Sequence, residues 1–156
     1  MGNIKFSQAA VDLIAKFEGY RSKPYLDSVK IPTIGYGTTF YEDGKKVTMN
    51  DAPINEARAK EILLHYLNEH MLPDFQKYIL VDLEQNKIDA LACLVYNIGN
   101  GGFKTSSVLK DINKNITSGA LIKEHWNAWN KAGGKVIPGL VTRRGKEFDY
   151  FEKGVL

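Results

Sequence analysis

Two carboxylates and a hydroxyl lie close together in the stretch FEGYRSKPYLDSVKIPTIGYGTT, residues 17–39 of the 156-residue sequence. Glu18 ends an apolar helical pattern, Asp27 follows nine residues later, and Thr33 follows six residues after that. Two carboxyl groups in different surroundings can act as a general acid and a general base. A neighbouring hydroxyl can hold a water molecule by donating and accepting hydrogen bonds. These residues are therefore candidates for a general acid that faces a water-positioning pair.

The surroundings of the two carboxylates differ in the way this chemistry requires. Glu18 is expected at the C-terminal end of a helix, where partial negative charge disfavours a charged carboxylate unless Arg21 pairs with it. Asp27 is expected in a turn, where backbone amides commonly bind the charged form of the side chain. Each residue also has an ordinary structural interpretation, as a solvated helix end for Glu18, a turn residue for Asp27 and a strand residue for Thr33.

The elements that must position these residues change from helix to strand and back to helix. Apolar residues at helical spacing predict a helix over residues 7–18, with Ser7 as its N-cap and Gly19 as its C-terminal stop. Residues 20–50 lose this period and predict two or three short antiparallel strands, with a hairpin turn at Asp43 and Gly44. Further helices are predicted from Asn55 to a closure or kink at Pro73, over about 83–97, from Thr105 or Ser106, over about 118–130, and from Gly139 to about Lys153.

This order of elements predicts an α+β fold that is mostly helical, with a small antiparallel β-sheet near the N-terminus and two lobes around a cleft. We expect a single domain over residues 1–156. Within it we expect a β-containing lobe at about 19–54, a connecting helix at about 55–72, and a helical lobe that combines about 73–156 with the N-terminal helix.

The composition excludes several classes of protein. A content of 44% hydrophobic and 25% charged residues is typical of a soluble globular domain. The single cysteine, Cys93, lies in an apolar run and is expected in the core of a protein made for a reducing compartment. The sequence shows neither a signal peptide nor an apolar run long enough for a transmembrane helix. His65, His70 and His125 have no cysteine or carboxylate at ligand spacing, so we expect no metal and no cofactor.

Basic residues are concentrated in one part of the chain. The formal net charge is +3, and residues 104–146 contain nine lysines and arginines against Asp111 and Glu124. Such a stretch attracts polyanions, including nucleic acid, anionic lipid and anionic wall polymer. An ordinary solvated helical surface has the same charge pattern, and the sequence leaves both interpretations open.

The spacing of Glu18, Asp27 and Thr33, with TIGYG beginning at the threonine, resembles the active-site signature of the phage-type lysozymes, the endolysin family of the T-even and lambdoid phage enzymes. The segments DALACLVYNIGNGGFKTSSVLKDIN and HWNAWNKAGGKVIPGLVTRRGKEFDYF resemble the second and third blocks of the same family. The resemblance covers about residues 5–154, and it implies the lysozyme-like fold.

The resemblance implies hydrolysis of the β-1,4 bond between N-acetylmuramic acid and N-acetylglucosamine in peptidoglycan. It implies that Glu18 is the general acid and that Asp27 and Thr33 place the attacking water on the opposite face of the sugar, as in an inverting glycosidase. Candidate substrate contacts also follow from the resemblance, and they are Tyr36, Thr39, Tyr96, Asn97 and Ser106.

Some of these assignments have structural alternatives. Tyr96 is also suited to a core position, Asn97 to a helix end, and Ser106 to an N-cap. Thr38 is the one departure from the family pattern in the first segment, since many relatives have histidine there. Any ion pair that this histidine makes in the family is therefore in doubt for this chain.

Two other functions remain open at this point. A lytic transglycosylase uses a single acid and forms an anhydro-sugar, and a non-enzymatic basic protein would bind wall polymer or nucleic acid. The resemblance favours the endolysin. It implies a monomer that acts on peptidoglycan glycan strands, binds no specific nucleic acid, accumulates in the host cytoplasm and depends on a separate membrane-hole-forming protein.

Overall fold

The computed structural model describes residues 3–156, so Met1 and Gly2 of the expected domain lie outside the described residues. The regular elements of residues 3–156 follow one another as helix α1 (Gln8–Glu18), strands β1 (Arg21–Leu26) and β2 (Pro32–Gly35), helix α2 (Glu56–Tyr66), a π-helical segment (Leu67–Met71), helices α3 (Leu72–Tyr78), α4 (Gln85–Ile98), α5 (Asn100–Lys104), α6 (Ser107–Asn113) and α7 (Ala120–Asn127), strands β3 (Lys131–Ala132) and β4 (Lys135–Val136), and helix α8 (Pro138–Lys153).

Helix α1 begins and ends at the residues that the sequence predicts. The Ser7 side chain accepts a hydrogen bond from the Ala9 amide, and Gly19 ends the helix with a φ of +75°. A left-handed backbone of this kind is readily adopted only by glycine. Because the helix stops there, Glu18 is its last residue and stands where the chain turns into the first strand.

The first sheet is a two-stranded antiparallel hairpin, as the sequence predicts. Tyr25 lies opposite Thr33 in the register of β1 and β2, and Leu26 lies opposite Pro32. The connecting turn spans Asp27 to Ile31, where the two residues share a backbone hydrogen bond of 3.0 Å. The hairpin therefore fixes where Asp27 and Thr33 lie relative to each other.

The helix that begins after Asn55 does not end at Pro73. The chain continues from α2 through the π-helical segment into α3, which ends at Tyr78. In the π-helical segment the Leu72 amide bonds the Leu67 carbonyl, five residues earlier. Proline has no amide hydrogen to donate in an α-helix, and this local widening directly before Pro73 lets the helical run continue past it.

Helix α4 forms the centre of the molecule and packs against α1 and α8. All residues from Lys87 to Val95 are buried. The C-terminal helices add an aromatic cluster in which Trp126 packs against Phe148 and Phe151, with ring centroids 5.6 and 5.0 Å away. This core anchors α8, which carries Arg143.

Two elements differ from the sequence-based expectation. The segment NGGFK, which lies between two predicted helices, forms the short helix α5, and Phe103 within it is fully buried. The glycine-rich segment after α7 forms the second small antiparallel sheet, β3 and β4. The fold class itself, mostly helical with a small antiparallel sheet near the N-terminus, is confirmed. No helix within residues 3–156 is both long and apolar enough to cross a membrane.

Candidate active site

A cavity of about 300 Å³ lies between the segment that follows β2 and the helices α1, α2 and α4. Four separate parts of the chain contribute to its wall. The lining residues are Glu18, Gly37, Thr38, Thr39, Phe40, Ile62, Tyr66, Tyr96 and Asn97. One acidic side chain, Glu18, is thus surrounded by hydroxyl, amide and aromatic groups.

The carboxyl group of Glu18 is held in place by Arg143. Arg143 donates from Nη1 to Oε2 of Glu18 over 2.6 Å, and the two side chains are 9% and 21% exposed. The second oxygen, Oε1, lies on the side of Gly37. The arginine therefore orients the carboxyl through one oxygen and leaves the other beside the cavity wall.

Gly37 makes this arrangement possible. Its φ is +80°, and a Cβ at this position would lie 3.1 Å from Oε1 of Glu18 and 3.3 Å from the hydroxyl oxygen of Tyr96. Both the backbone conformation and the close approach exclude a larger side chain. The glycine in TIGYG thus lets the strand exit pass directly beside the acid.

Arg143 is itself fixed by a buried network. Its Nε donates to Oε2 of Glu147 over 2.9 Å, and its Nη2 donates to the Cys93 carbonyl over 3.0 Å. Glu147 is fully buried and also forms an ion pair with Arg144. Burial alone would lower the pKa of Arg143, but Cys93, Glu147 and Glu18 raise it above the ordinary value for arginine. The cation beside Glu18 is therefore permanent.

Glu18 is paired with Arg143 and not with Arg21, a pairing that the sequence had left open. Arg21 lies over the ring of Tyr25, 4.3 Å from its centroid, and the ion pair is made by Arg143 from α8. The only sequence signal for this partner is the paired arginine motif with a glutamate four residues after Arg143. That spacing predicts a helical ion pair with Glu147 but gives no contact to Glu18.

Asp27 is fixed by the turn in which it lies. Its Oδ1 accepts hydrogen bonds from the amides of Val29 and Ile31, over 2.9 and 2.8 Å. This is the backbone binding that the sequence predicts for a turn aspartate. The other oxygen, Oδ2, takes part in no hydrogen bond with the residues that the structure describes, so it remains available to a ligand.

The hydroxyl of Thr33 differs from the expectation in one respect. The residue is 3% exposed, and its Oγ1 donates to the Ile31 carbonyl over 2.8 Å. A hydroxyl has a single hydrogen, so Thr33 has no donor left for water. Its oxygen can still accept a hydrogen bond, and the expectation that it both donates and accepts is wrong.

The phenol of Tyr25 lies within electrostatic range of both carboxylates. Burial raises the pKa of the Tyr25 phenol, Arg21 lowers it, and the negative charges of Glu18 and Asp27 raise it further. Both carboxylates therefore act on the same phenol. Asp27 and Thr33 do not line the 300 Å³ cavity around Glu18, and they lie on the hairpin that Tyr25 shares with them.

The candidate substrate contacts divide into two groups. Thr39, Tyr96 and Asn97 line the cavity with Glu18. Tyr36 does not, because its side chain is 4% exposed and its hydroxyl donates to Oε2 of Glu56 over 3.2 Å. The Tyr36 carbonyl accepts a 2.7 Å hydrogen bond from the hydroxyl of Tyr96, which lines the cavity.

Ser106 also lies away from this cavity. Its hydroxyl accepts from the Leu109 amide and donates to the Phe103 carbonyl, over 3.1 and 2.8 Å. It is the N-cap of α6, which is the structural alternative that the sequence offered.

Among the residues that line the cavity, sequence reasoning missed Phe40, Ile62 and Tyr66, which belong to no chemical motif. Residues 3–156 contain no group of three or more His, Cys, Asp or Glu that could hold a metal ion.

A family model for phage lysozymes matches residues 15–147, a range that includes the acid, the hairpin and Arg143. The chain belongs to the phage lysozyme family. Its fold is also similar to the solved structure of an endolysin from Escherichia coli O157:H7 phage FAHEc1, with a TM-score of 0.88, 35% identity, and coverage of 99% of this chain and 97% of that one.

Two named relatives match most of this chain but differ in how much of their own length is matched. The endolysin of Salmonella phage P22 is 34% identical over 145 residues, which are 92% of this chain and 95% of the relative. The endolysin of Bacillus phage PZA is 36% identical over 153 residues, or 97% of this chain. The chain spans only 56% of the length of that relative.

Thr38 is the residue at which this chain departs from the family pattern, and it pairs with Ile34 through backbone hydrogen bonds. Its amide donates to the Ile34 carbonyl and its carbonyl accepts from the Ile34 amide, each over 2.9 Å. The side chain is 7% exposed and lines the cavity, as does Tyr66. The backbone of this corner is therefore closed by amide hydrogen bonds.

Proposed function

We propose that this chain is an endolysin that hydrolyses the β-1,4 bond between N-acetylmuramic acid and N-acetylglucosamine, with Glu18 as general acid. The observation that carries the proposal is the placement of Glu18 in the cavity wall, with Oε2 bound by Arg143 and Oε1 beside Gly37. A general acid needs a fixed position relative to the bond that it protonates. The family membership supports the same assignment.

Two opposing influences act on the Glu18 carboxyl. The C-terminal end of α1 disfavours a charged carboxylate, whereas Arg143 favours it. In the proposed mechanism, Glu18 donates its proton to the glycosidic oxygen as the bond to the leaving sugar breaks. The carboxylate that forms is then stabilised by Arg143, which is already in contact with it.

Asp27 and Thr33 are proposed to position the attacking water. Oδ1 of Asp27 is saturated by two amides, and the Thr33 hydroxyl has its hydrogen committed to Ile31. A water molecule can therefore donate one hydrogen to Oδ2 of Asp27 and the other to Oγ1 of Thr33, and its lone pair stays free to attack the anomeric carbon. Asp27 takes the proton in this step, and the product has inverted configuration.

The proposal is tested with Glu18→Gln, which keeps the shape of the side chain but has no acid proton. We expect hydrolysis of peptidoglycan to fall by about 10²–10⁴-fold, with unchanged far-ultraviolet circular dichroism. Glu61→Gln is the matched control, because Glu61 is an exposed residue of α2 with its side chain 69% exposed. Full activity of Glu18→Gln contradicts the assignment. Products that all end in anhydro-muramic acid identify a transglycosylase instead.

We further propose that the protein acts as a monomer from the host cytoplasm and reaches the wall through a lesion made by a separate protein. The resemblance to phage endolysins supports this route. The test is to express the unaltered chain and Glu18→Gln in Escherichia coli and then to add chloroform, which opens the inner membrane. We expect cells with the unaltered chain to remain intact until chloroform is added, and cells with Glu18→Gln to remain intact throughout. Lysis before chloroform contradicts this route, and analytical ultracentrifugation measures the oligomeric state.

A further inference from the structure

Tyr66 occupies a position in the cavity that the proposed mechanism does not use. It is the last residue of α2, and it lines the same wall as Glu18. It is neither a catalytic group nor one of the substrate contacts expected from the sequence. Its side chain is half-buried, so only part of it is open to solvent.

Aromatic neighbours fix the ring of Tyr66. Phe40 and Tyr96 meet it edge to face, with centroids 5.8 and 5.6 Å away, and His70 lies at 5.2 Å with a tilt of 35°. Such aromatic pairs favour defined geometries. The position of the Tyr66 hydroxyl is therefore set by packing on several sides.

The hydroxyl of Tyr66 has no hydrogen-bond partner among residues 3–156. The hydroxyls of Tyr20, Tyr36, Tyr41 and Tyr96 each donate to a carbonyl or a carboxylate. Burial raises the pKa of Tyr66, and no charged or hydrogen-bonding group contributes to that shift. A partly buried donor without a protein partner is costly unless something else accepts its hydrogen. In the open cavity, water accepts this hydrogen until a ligand with an acceptor oxygen takes its place.

Apolar groups stand beside this donor. Ile62 lies one helical turn before Tyr66 on α2, and both line the cavity with Phe40. Residues four apart on a helix are neighbours on its surface. The same wall thus offers a hydroxyl donor, a branched alkyl group and an aromatic ring. That pattern fits a ligand group in which a carbonyl oxygen and a methyl group are joined at one carbon.

We propose that Tyr66 recognises the acetamido group of an N-acetylated sugar next to the bond that Glu18 protonates. The Tyr66 hydroxyl donates to the acetamido carbonyl oxygen, and the acetamido methyl group packs against Ile62 and Phe40. This inference rests on the proposed function, and it assigns Tyr66 a role in substrate specificity. No covalent step is involved.

The test uses Tyr66→Phe, which removes the hydroxyl and keeps the ring with its aromatic contacts. A neutral hydrogen bond contributes about 1 kcal/mol, so we expect KM for peptidoglycan to rise about three- to tenfold with kcat within about twofold. The melting temperature should stay constant or rise, because a donor without a protein partner is removed. A large fall in melting temperature with unchanged KM shows a purely structural role and overturns the inference.

Partly N-deacetylated peptidoglycan identifies the group that accepts the hydrogen bond. The unaltered protein should bind it more weakly than acetylated peptidoglycan, whereas Tyr66→Phe should show a smaller difference between the two substrates. An equal difference for both proteins overturns the acetamido assignment. Tyr41→Phe is the matched control, because its hydroxyl binds Asp51 away from the cavity. It should lower the melting temperature and leave KM unchanged.

A binding measurement separates this inference from the proposed function. Chitohexaose, an acetylated glucosamine oligomer, is titrated into Glu18→Gln and into Glu18→Gln/Tyr66→Phe by calorimetry. We expect the double variant to bind about three- to tenfold more weakly. If Glu18→Gln hydrolyses peptidoglycan normally, the proposed function fails regardless of Tyr66. If Glu18→Gln is inactive and the two Kd values are equal, only the role of Tyr66 fails.

Discussion

Lys30 carries an uncommon backbone conformation in the turn that holds Asp27. Its φ is +64°, and its amide donates to the Asp27 carbonyl over 2.9 Å. A left-handed conformation costs a residue with a Cβ about 1–2 kcal/mol, and glycine adopts it readily at a smaller entropic cost. We therefore expect Lys30→Gly to raise the free energy of unfolding by about 0.5–1 kcal/mol, measured by urea denaturation.

Asn115 supplies the matched control for this prediction. Its φ is +62°, and asparagine tolerates left-handed backbone better than lysine because its side chain can bond locally. Asn115→Gly should therefore gain less stability than Lys30→Gly. A loss of stability in Lys30→Gly, or an equal gain in both variants, would show that strain at Lys30 is not the cause.

At the scale of elements, local signals predicted the fold better than tertiary ones. The caps of α1 at Ser7 and Gly19 are local, and the structure has both of them. Helix α5 could not be predicted, because its glycines disfavour a helix and its stability depends on distant contacts. Phe103 is fully buried there, and a Cβ on Gly102 would lie 3.2 Å from the ring of Trp129.

The segment between β2 and α2 contains little regular structure and depends on one carboxylate. Oδ2 of Asp51 accepts from the Tyr41 hydroxyl over 2.7 Å and from the Thr48 amide over 2.9 Å. Bonds from the Thr48 and Tyr41 hydroxyls and the Thr48 amide lower the pKa of Asp51 below 3.8. Burial and the bond to Asp51 raise the pKa of Tyr41 to about 12. The two shifts define the pH range over which this link stabilises the fold.

We expect Tyr41→Phe to lower the melting temperature most between pH 4 and 10. A lowered carboxyl pKa contributes stability above its ordinary value of 3.8, and this contribution is lost as the pH falls below that value. A raised phenol pKa contributes below its ordinary value of 10.0 and is lost as the pH rises towards 12. The difference in melting temperature from the unaltered protein should therefore shrink at both extremes of pH.

Tyr20→Phe tests whether the acid limb of this effect belongs to Asp51. The Tyr20 hydroxyl donates to the Ile54 carbonyl, which does not titrate. Its loss should lower the melting temperature by an amount that does not decrease in acid. If both variants respond to acid in the same way, the carboxylate of Asp51 is not responsible.

At the scale of the whole molecule, the site could be predicted only as far as its residues are close in sequence. The spacing of Glu18, Asp27 and Thr33 lies within one segment, and a turn aspartate bound by amides is a local property. Arg143 lies 125 residues after Glu18, and only the packing of α8 against α4 brings the two together. Tyr66 has no chemical signature in the sequence, so its place in the cavity depends entirely on the fold.

The packing also changes how the basic stretch of residues 104–146 is understood. Two of its nine cations, Arg143 and Arg144, are buried and paired with carboxylates. The remaining seven are exposed, and none forms an ion pair with another described residue; they are Lys104, Lys110, Lys114, Lys123, Lys131, Lys135 and Lys146. These seven lysines should attract anionic wall polymer over a distance set by ionic strength.

The expected result is binding of Glu18→Gln to isolated cell walls that weakens steeply between about 10 mM and 300 mM salt, as the screening length falls from about 30 Å to below 10 Å. In this background, Lys131→Gln/Lys135→Gln should weaken binding by about twofold or more. Lys45→Gln/Lys60→Gln changes the net charge equally, but these lysines are paired with Asp43 and Asp12. Co-sedimentation with walls measures all three proteins. Equal losses in both pairs would assign the attraction to net charge, whereas a loss confined to Lys131 and Lys135 assigns it to the surface that the C-terminal helices and hairpin present.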